Sequence, residues 1–305
     1  MRSKDRHPFI SLLYLLFFCL AGSLLFTVVA LAVCWLAFGM DGLAGFTGGG
    51  YSSIWPMRII QLFGSAGTFI FPALLFAKNE DSDYPGYLKL DKVPGLLIMV
   101  LSVLIIYSFS GFIDWTTQLN QKMSFPGFLR DLEQWMKDKE DQLEKLTLQL
   151  LVMKNGWELI FNILLIAIIP ALGEELLFRG CIQRIFSKWT GNYQLGIWIA
   201  ATIFSAIHVQ FYGFLPRMLL GALFGYLMAW SGSLWVPIIA HFINNGTAVV
   251  AAYMMQRRGE PVNILEKTGN NPGYVPLLSV VFTSILLILF YKMSERQVKK
   301  NQHEK

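Results

Sequence analysis

Charge is scarce in this sequence. Asp, Glu, Lys and Arg make up 15% of its 305 residues, where soluble globular domains average about a quarter. Apolar residues make up 54% and come in long blocks. Blocks of about 18 or more apolar residues mark transmembrane helices. The shortage of charge thus excludes a soluble globular domain. The fold class is all-α, a polytopic membrane protein with about eight transmembrane helices. Cysteine is scarce too: Cys19, Cys34 and Cys181 are the only three. An odd number set in or beside apolar blocks excludes a complete disulfide framework and reads as buried thiols. Chemical signatures are also missing. There is no HExxH, no GxSxG and no pair of intramembrane aspartates, so a standard zincin is not indicated, nor an elbow serine or an aspartyl pair.

The apolar blocks place spans at roughly 9–38, 55–77, 94–113, 157–186, 194–212, 215–231, 234–254 and 274–293. The first block is too long for the core of a signal peptide and reads as a retained span. Three regions follow: residues 1–156, with three spans; 157–254, the candidate catalytic core; and 255–305, a loop, the last span and a basic tail. The stretch GFTGGGYSS after the first span reads as a flexible loop. Lys and Arg cluster at both termini (Arg2, Lys4, Arg6; Lys292 to Lys305), after span two (Lys78, Lys89, Lys92) and after span four (Arg184, Lys188). That bias expects both termini in the cytoplasm; Arg257 and Arg258 fall on the other side. In a membrane protein, the net charge of +5 points to an anionic leaflet and not to nucleic acid.

Residues 125–153 differ in kind. Leu129, Leu132, Met136, Leu143, Leu146, Leu150 and Met153 recur at spacings of three, four or seven, with charges between them. This is an amphipathic helix, lying on the membrane surface or packed on the spans. A heptad seam to a second copy is interrupted by Lys139.

The scarcity of charge makes its exceptions informative. Between Glu158 and Glu260 the only acidic residues are Glu174 and Glu175, and two of the four histidines, His208 and His241, fall inside apolar blocks. Intramembrane ionisable groups usually mark a functional site. Glu175 and Arg179 are four apart and can pair on one helix face, which offsets the cost of burying the carboxylate. Glu174 is turned about 100° from its neighbour and can face something else. Phe204 and His208 are four apart, as are His241 and Asn245. At a rise of about 1.5 Å per residue, Glu174 and His208 lie roughly 20 Å in from the basic side, and His241 and Asn245 roughly 10–16 Å. All four can meet in one cavity. Pro170 and Gly173 would loosen the helix there. Taken singly, each group has a plainer reading: a helix tie for Glu175–Arg179, a carbonyl bond for either histidine, a helix-to-helix bond for Asn245, close packing for Gly221 and Gly225. Together they fit hydrolysis of an amide. A carboxylate and a histidine can hold and deprotonate water, while a second histidine and an amide can donate to an oxyanion.

The sequence resembles the CAAX-protease and bacteriocin-processing family, also called the Abi or type II CAAX prenyl endopeptidase family, and looks like a bacterial member. Its EExxxR motif stands as Glu174-Glu175-Leu-Leu-Phe-Arg179, its FxxxH as Phe204-Ser-Ala-Ile-His208 and its HxxxN as His241-Phe-Ile-Asn-Asn245. The resemblance covers roughly 157–250. It implies an eight-helix fold in a bacterial plasma membrane and glutamate-dependent cleavage of a membrane-associated or lipidated protein or peptide. By position it makes Glu174 the general base and has His208 orient the water. His241 and Asn245 would stabilise the oxyanion, Glu175 and Arg179 would hold the geometry, and Phe204 would shape the pocket. No cofactor is expected; two histidines and two glutamates leave zinc as a lesser option. The alternative of another class is a non-catalytic membrane protein that binds a peptide, such as a bacteriocin immunity or scaffold factor.

Overall fold

The computed structural model describes residues 6–46, 53–262 and 272–303. Arg2, Lys4, Lys305 and most of the glycine-rich stretch after the first span lie outside them. Among the described residues the chain is all-helical, with seven helices long and apolar enough to cross a membrane and one shorter apolar helix. The long ones are α1 (Pro8–Phe38), α2 (Trp55–Glu80), α3 (Leu96–Gln121), α5 (Gly156–Thr190), α7 (Phe214–Ser231), α8 (Trp235–Arg257) and α9 (Tyr274–His303). The amphipathic helix α4 runs Arg130–Leu150, and the short helix α6 runs Tyr193–Ala206. Their apolar outer faces, such as Leu20, Leu24 and Leu36 on α1, are exposed because a bilayer is their solvent.

Span five is where the structure departs from the sequence reading. With 14 residues, α6 is about 21 Å long, short of the ~30 Å hydrocarbon core. It starts at Asn192, whose side chain accepts from the N–H groups of Gln194 and Leu195. It ends at Ala206, so His208 lies on the turn beyond it and not inside the helix. The chain then reverses through Val209, a β-branched residue at φ +54°, a conformation that is uncommon and strained for such a side chain. One 3₁₀ turn, Phe211–Gly213, leads into α7.

The helix that carries the glutamates is itself irregular. In α5, π-helical turns at Ile163–Ile168 and Leu176–Ile182 flank the regular segment Ile169–Glu175. Such turns concentrate at functional sites. Pro170 contributes to the first, because it lacks the N–H that an α-helix would aim at the Ile166 carbonyl. The glycines let neighbours approach: Gly173 faces Phe69 and Ile70 of α2, and Gly221 of α7 faces Ala201 and Phe204 of α6. The close-packing reading of Gly221 and Gly225 holds.

The amphipathic helix packs on the spans. Trp135 of α4 sits 5.5 Å, centroid to centroid, from Phe211, and Glu140 Oε2 accepts from the Tyr212 N–H at 2.9 Å. So α4 is docked on the turn that joins α6 to α7. Its burial raises the Glu140 pKa, against the Tyr212 bond and the charge of Arg217, which lower it.

Arg58, just inside span two, is fully buried. Its guanidinium donates to the Val152 carbonyl at 2.6 Å and meets Glu158 Oε2 at 3.4 Å, tying α2 to the start of α5. Removing one member of a buried pair strands the other. Arg58→Leu is therefore expected to lower the unfolding free energy by about 3–5 kcal/mol, measured by denaturation in mixed micelles. A loss within the ~0–1 kcal/mol of a surface pair would contradict this anchoring.

Candidate active site

Glu174 and Glu175 diverge as their 100° offset requires. Glu175 is fully buried and its Oε1 is shared: Arg179 Nη1 donates to it at 2.8 Å and His241 Nδ1 lies 2.9 Å away. Glu175 Oε2 makes no hydrogen bond to the protein. Glu174 keeps 12% of its side chain exposed, and its Oε2 lies 3.9 Å from His241 Nε2. That is too long for a direct hydrogen bond and is a separation at which a shared water has to be considered. His241 is therefore held between the two glutamates, one at each ring nitrogen. Its ring lies 5.1 Å from Phe224 at 17°, stacked, and meets the edge of Phe204 at 6.2 Å.

Arg179 is 2% exposed. Besides Glu175 it donates to the Gly221 carbonyl of α7 at 2.8 Å. Its guanidinium carbon sits 4.8 Å from the centroid of the Phe204 ring and 5.4 Å from that of Phe224, cation–π distances. One residue thus joins α5, α6 and α7 around the Glu175 carboxylate. Gly221, which supplies that carbonyl, is also where α7 closes on Ala201 and Phe204 of α6.

His208 reaches the site from its turn. The His208 N–H bonds back to Ser205 O at 3.3 Å, a 3₁₀ contact. The Phe204 carbonyl accepts instead from the imidazole, Nδ1 to O at 2.7 Å. The four-residue spacing of FxxxH is thus a helix cap in which the side chain satisfies an end carbonyl. A carbonyl only accepts, so Nδ1 carries the hydrogen and the neutral ring presents the Nε2 lone pair. The Phe204 ring lies edge-on to His208 at 5.0 Å and also packs on Phe178 and Arg179.

Asn245, one turn along α8 from His241, has its amide in use. Nδ2 donates to the Ile166 carbonyl at 3.2 Å, and Oδ1 accepts from Asn244 at 3.1 Å. The Ile166 carbonyl is the one that Pro170 leaves without its α-helical donor. The helix-to-helix reading of Asn245 is therefore met, while its second N–H stays available.

Arg217 escaped the sequence reading. It is the only Asp, Glu, Lys or Arg between Lys188 and Arg257, a signal that an account of acids and histidines alone passes over. Its guanidinium donates to the Gln210 side chain at 2.5 Å and to the Gln210 and Gly213 carbonyls at 3.5 Å. Those bonds brace the strained turn that carries His208. Its charge acts on Glu174, His208 and Glu140. Phe224, the stacking partner of His241, was missed because an aromatic in an apolar span carries no signal of its own.

Zinc would need a set of free ligands. Glu175 is committed to Arg179 and His241, His208 has one nitrogen committed to Phe204, and Arg179 sets a cation beside them. Among the described residues no group of three or more His, Cys, Asp or Glu side chains is placed to hold a metal. Cys181 is fully buried, with its thiol 3.9 Å from the Ala73 carbonyl of α2.

Residues 156–247 match the family described as type II CAAX prenyl endopeptidase, Rce1-like. That stretch contains all three motifs, and the resemblance read from them holds over it. Over 86 residues the chain is 33% identical to the uncharacterized protein YpbD of Bacillus subtilis (strain 168), a match that covers 27% of this chain and 41% of that protein. The matched segment thus spans less than half of that relative. No solved structure matches the chain.

The shared Glu175 carboxylate makes a sharp stability statement. Arg179→Ala strands a buried anion and is expected to cost about 3–5 kcal/mol. Adding Glu175→Gln removes that charge and recovers part of the loss. Equal destabilisation in the single and double variants, by unfolding in micelles, would contradict the pairing.

Proposed function

We propose that the protein is an integral-membrane endopeptidase. It hydrolyses a peptide bond of a membrane-associated or lipidated protein or peptide with water activated by Glu174. The observation that carries this reading is the division between the glutamates: Glu175 is spent on Arg179 and His241, while Glu174 faces His241 Nε2 across 3.9 Å without a direct bond. A carboxylate placed to take a proton, in a low-dielectric site, is the general base that amide hydrolysis needs.

The steps follow from the hydrogen bonding. Water held by Glu174, with the His208 Nε2 lone pair accepting its second hydrogen, attacks the scissile carbonyl carbon as Glu174 takes the proton. The carbonyl π pair moves onto oxygen. The free N–H of Asn245 and the nearby Arg217 guanidinium supply positive potential for that oxyanion. His241 donates to it only as the imidazolium, because its Nδ1 faces Glu175. The proton held by Glu174 then passes to the departing amine, directly or through His241 Nε2, and the C–N bond breaks. Phe204 and Phe224 hold the imidazoles at fixed angles.

The basic flanks support a topology with both termini in the cytoplasm of a bacterium and the protein in its plasma membrane. The side of the membrane with Arg184 and Lys188 would then be cytoplasmic.

Glu174→Gln is expected to abolish turnover of a membrane-peptide substrate while leaving the protein folded, and Asn245→Ala to cost roughly 10²–10³ in rate. Both are measured on purified protein in proteoliposomes. Wild-type turnover by Glu174→Gln would sink the mechanism, and a peptide that binds tightly but is never cut would favour the non-catalytic binding protein. Activity should survive prolonged dialysis against a strong chelator; loss restored by zinc alone would replace glutamate-activated water with metal-bound water.

A further inference from the structure

The turn that follows His208 is gripped by side chains from outside the family-matched segment 156–247. Asn120 is the penultimate residue of α3 and is 1% exposed. Its amide takes hold on both sides of the turn. Nδ2 donates to the Phe211 carbonyl at 3.1 Å, and Oδ1 accepts from the Leu215 N–H at 2.7 Å. Leu215 lies in the first turn of α7, where backbone N–H groups have no partner within the helix. A capping side chain ordinarily supplies the acceptor there, but the residue at the cap is Gly213, which has none. Asn120 takes over that task from another helix.

Glu140 of α4 accepts from the next open donor, the Tyr212 N–H, at 2.9 Å. The helix that presents it is itself anchored. The carbonyls at its C-terminal end, those of Leu150, Leu151 and Val152, accept from Asn162 of α5 at 2.8 Å, Gln256 of α8 at 2.8 Å and Arg58 of α2 at 2.6 Å. Glu140 therefore reaches the turn from a support that three spans hold in place.

These bonds bear on His208 through the backbone. Phe211 follows His208 by three residues, and Val209 between them stands at φ +54°. Backbone held in such a conformation persists only where its surroundings fix it. On the α6 side the fixing bond is the one from His208 Nδ1 to the Phe204 carbonyl. On the α7 side the Arg217 bonds are joined by those of Asn120 and Glu140. Once the α7 side is released, Val209 can relax to ordinary extended backbone, and the residue before it turns with it.

We propose that Asn120 and Glu140 are positioning residues: from α3 and α4 they hold the turn so that the His208 imidazole keeps its bond to Phe204 and its Nε2 faces the water on Glu174. This rests on the roles proposed above for Glu174 and His208. It gives the region before the family-matched segment a share in the site.

The test is nitrogen-15 NMR of the full-length protein, labelled at histidine and held in nanodiscs, with His208 assigned by His208→Gln. The neutral tautomer with its hydrogen on Nδ1, which the Phe204 carbonyl selects, is the signal to follow. Asn120→Ala and Glu140→Ala should each lose most of that signal. Each should also lower kcat on a quenched fluorescent lipidated peptide roughly 10²-fold, with KM nearly unchanged. Glu140→Gln, which still offers an acceptor oxygen, should restore both. Ser279→Ala, which removes a bond to the Phe112 N–H farther along α3, should match the wild type in both. If Asn120→Ala does not fold, the two Glu140 variants decide. A folded Asn120→Ala or Glu140→Ala with the wild-type His208 signal or kcat, a Glu140→Gln as impaired as Glu140→Ala, or an equal loss in Ser279→Ala would overturn the proposal. The signal is read without substrate. Wild-type turnover by Glu174→Gln would therefore sink the hydrolysis reading alone, and the His208 signal would still decide what Asn120 and Glu140 hold.

Discussion

The arrangement depends on one carboxylate oxygen. Glu175 Oε1 takes the Arg179 guanidinium from one side and the His241 imidazole from the other, in surroundings where an unpaired charge would be costly. Through Arg179 the oxygen is tied to the Gly221 carbonyl of α7 and to the rings of Phe204 and Phe224. Through His241 it is tied to α8. Four helices thus converge on a group that carries out no reaction in the proposed mechanism. Its effect is on its neighbour. Because Glu175 answers Arg179, Glu174 is left without a bonded partner, and because Glu175 fixes one face of His241, the other nitrogen is turned toward Glu174.

Irregular backbone supplies the rest of the geometry. Pro170 deprives the Ile166 carbonyl of its α-helical donor, and Asn245 supplies one from another helix. The short α6 stops inside the membrane region, and His208 closes its last turn with its own imidazole. The reversal through Val209 is held by Arg217 on one side and by Glu140 of the amphipathic helix on the other. Open carbonyls at membrane depth require such partners, and here the partners are residues of the site. Stability of the fold and placement of the proposed catalytic groups are served by the same bonds.

Much of this was legible in the sequence. Spans announce themselves by length and hydropathy, and Glu175–Arg179 by the geometry of a helix turn. The same rule misled at FxxxH. A four-residue spacing predicts two side chains on one face of a continuing helix, but a histidine four residues on can equally end the helix by reaching its open carbonyl. Periodicity does not distinguish the two, and the apolar block of span five runs on past the end of α6 at Ala206. Arg217 was overlooked although its isolation is as informative as that of the glutamates. The docking of α4 on the Phe211–Gly213 turn rests on a backbone N–H and a ring contact, neither of which has a pattern in the sequence. The approach of Asn245 to Ile166 depends on which carbonyl a distant proline leaves open, a relation between helices 79 residues apart in the chain.

The central claim is that Glu175 anchors His241 through Nδ1 and so leaves Glu174 as the working base. Nitrogen-15 and proton NMR of His241, in protein labelled at histidine and held in micelles, tests it directly. The account predicts a protonated Nδ1 with a strongly downfield proton that persists in Glu174→Gln and disappears in folded Glu175→Gln. A His241 proton that is lost with Glu174 and survives the change at Glu175 would contradict it.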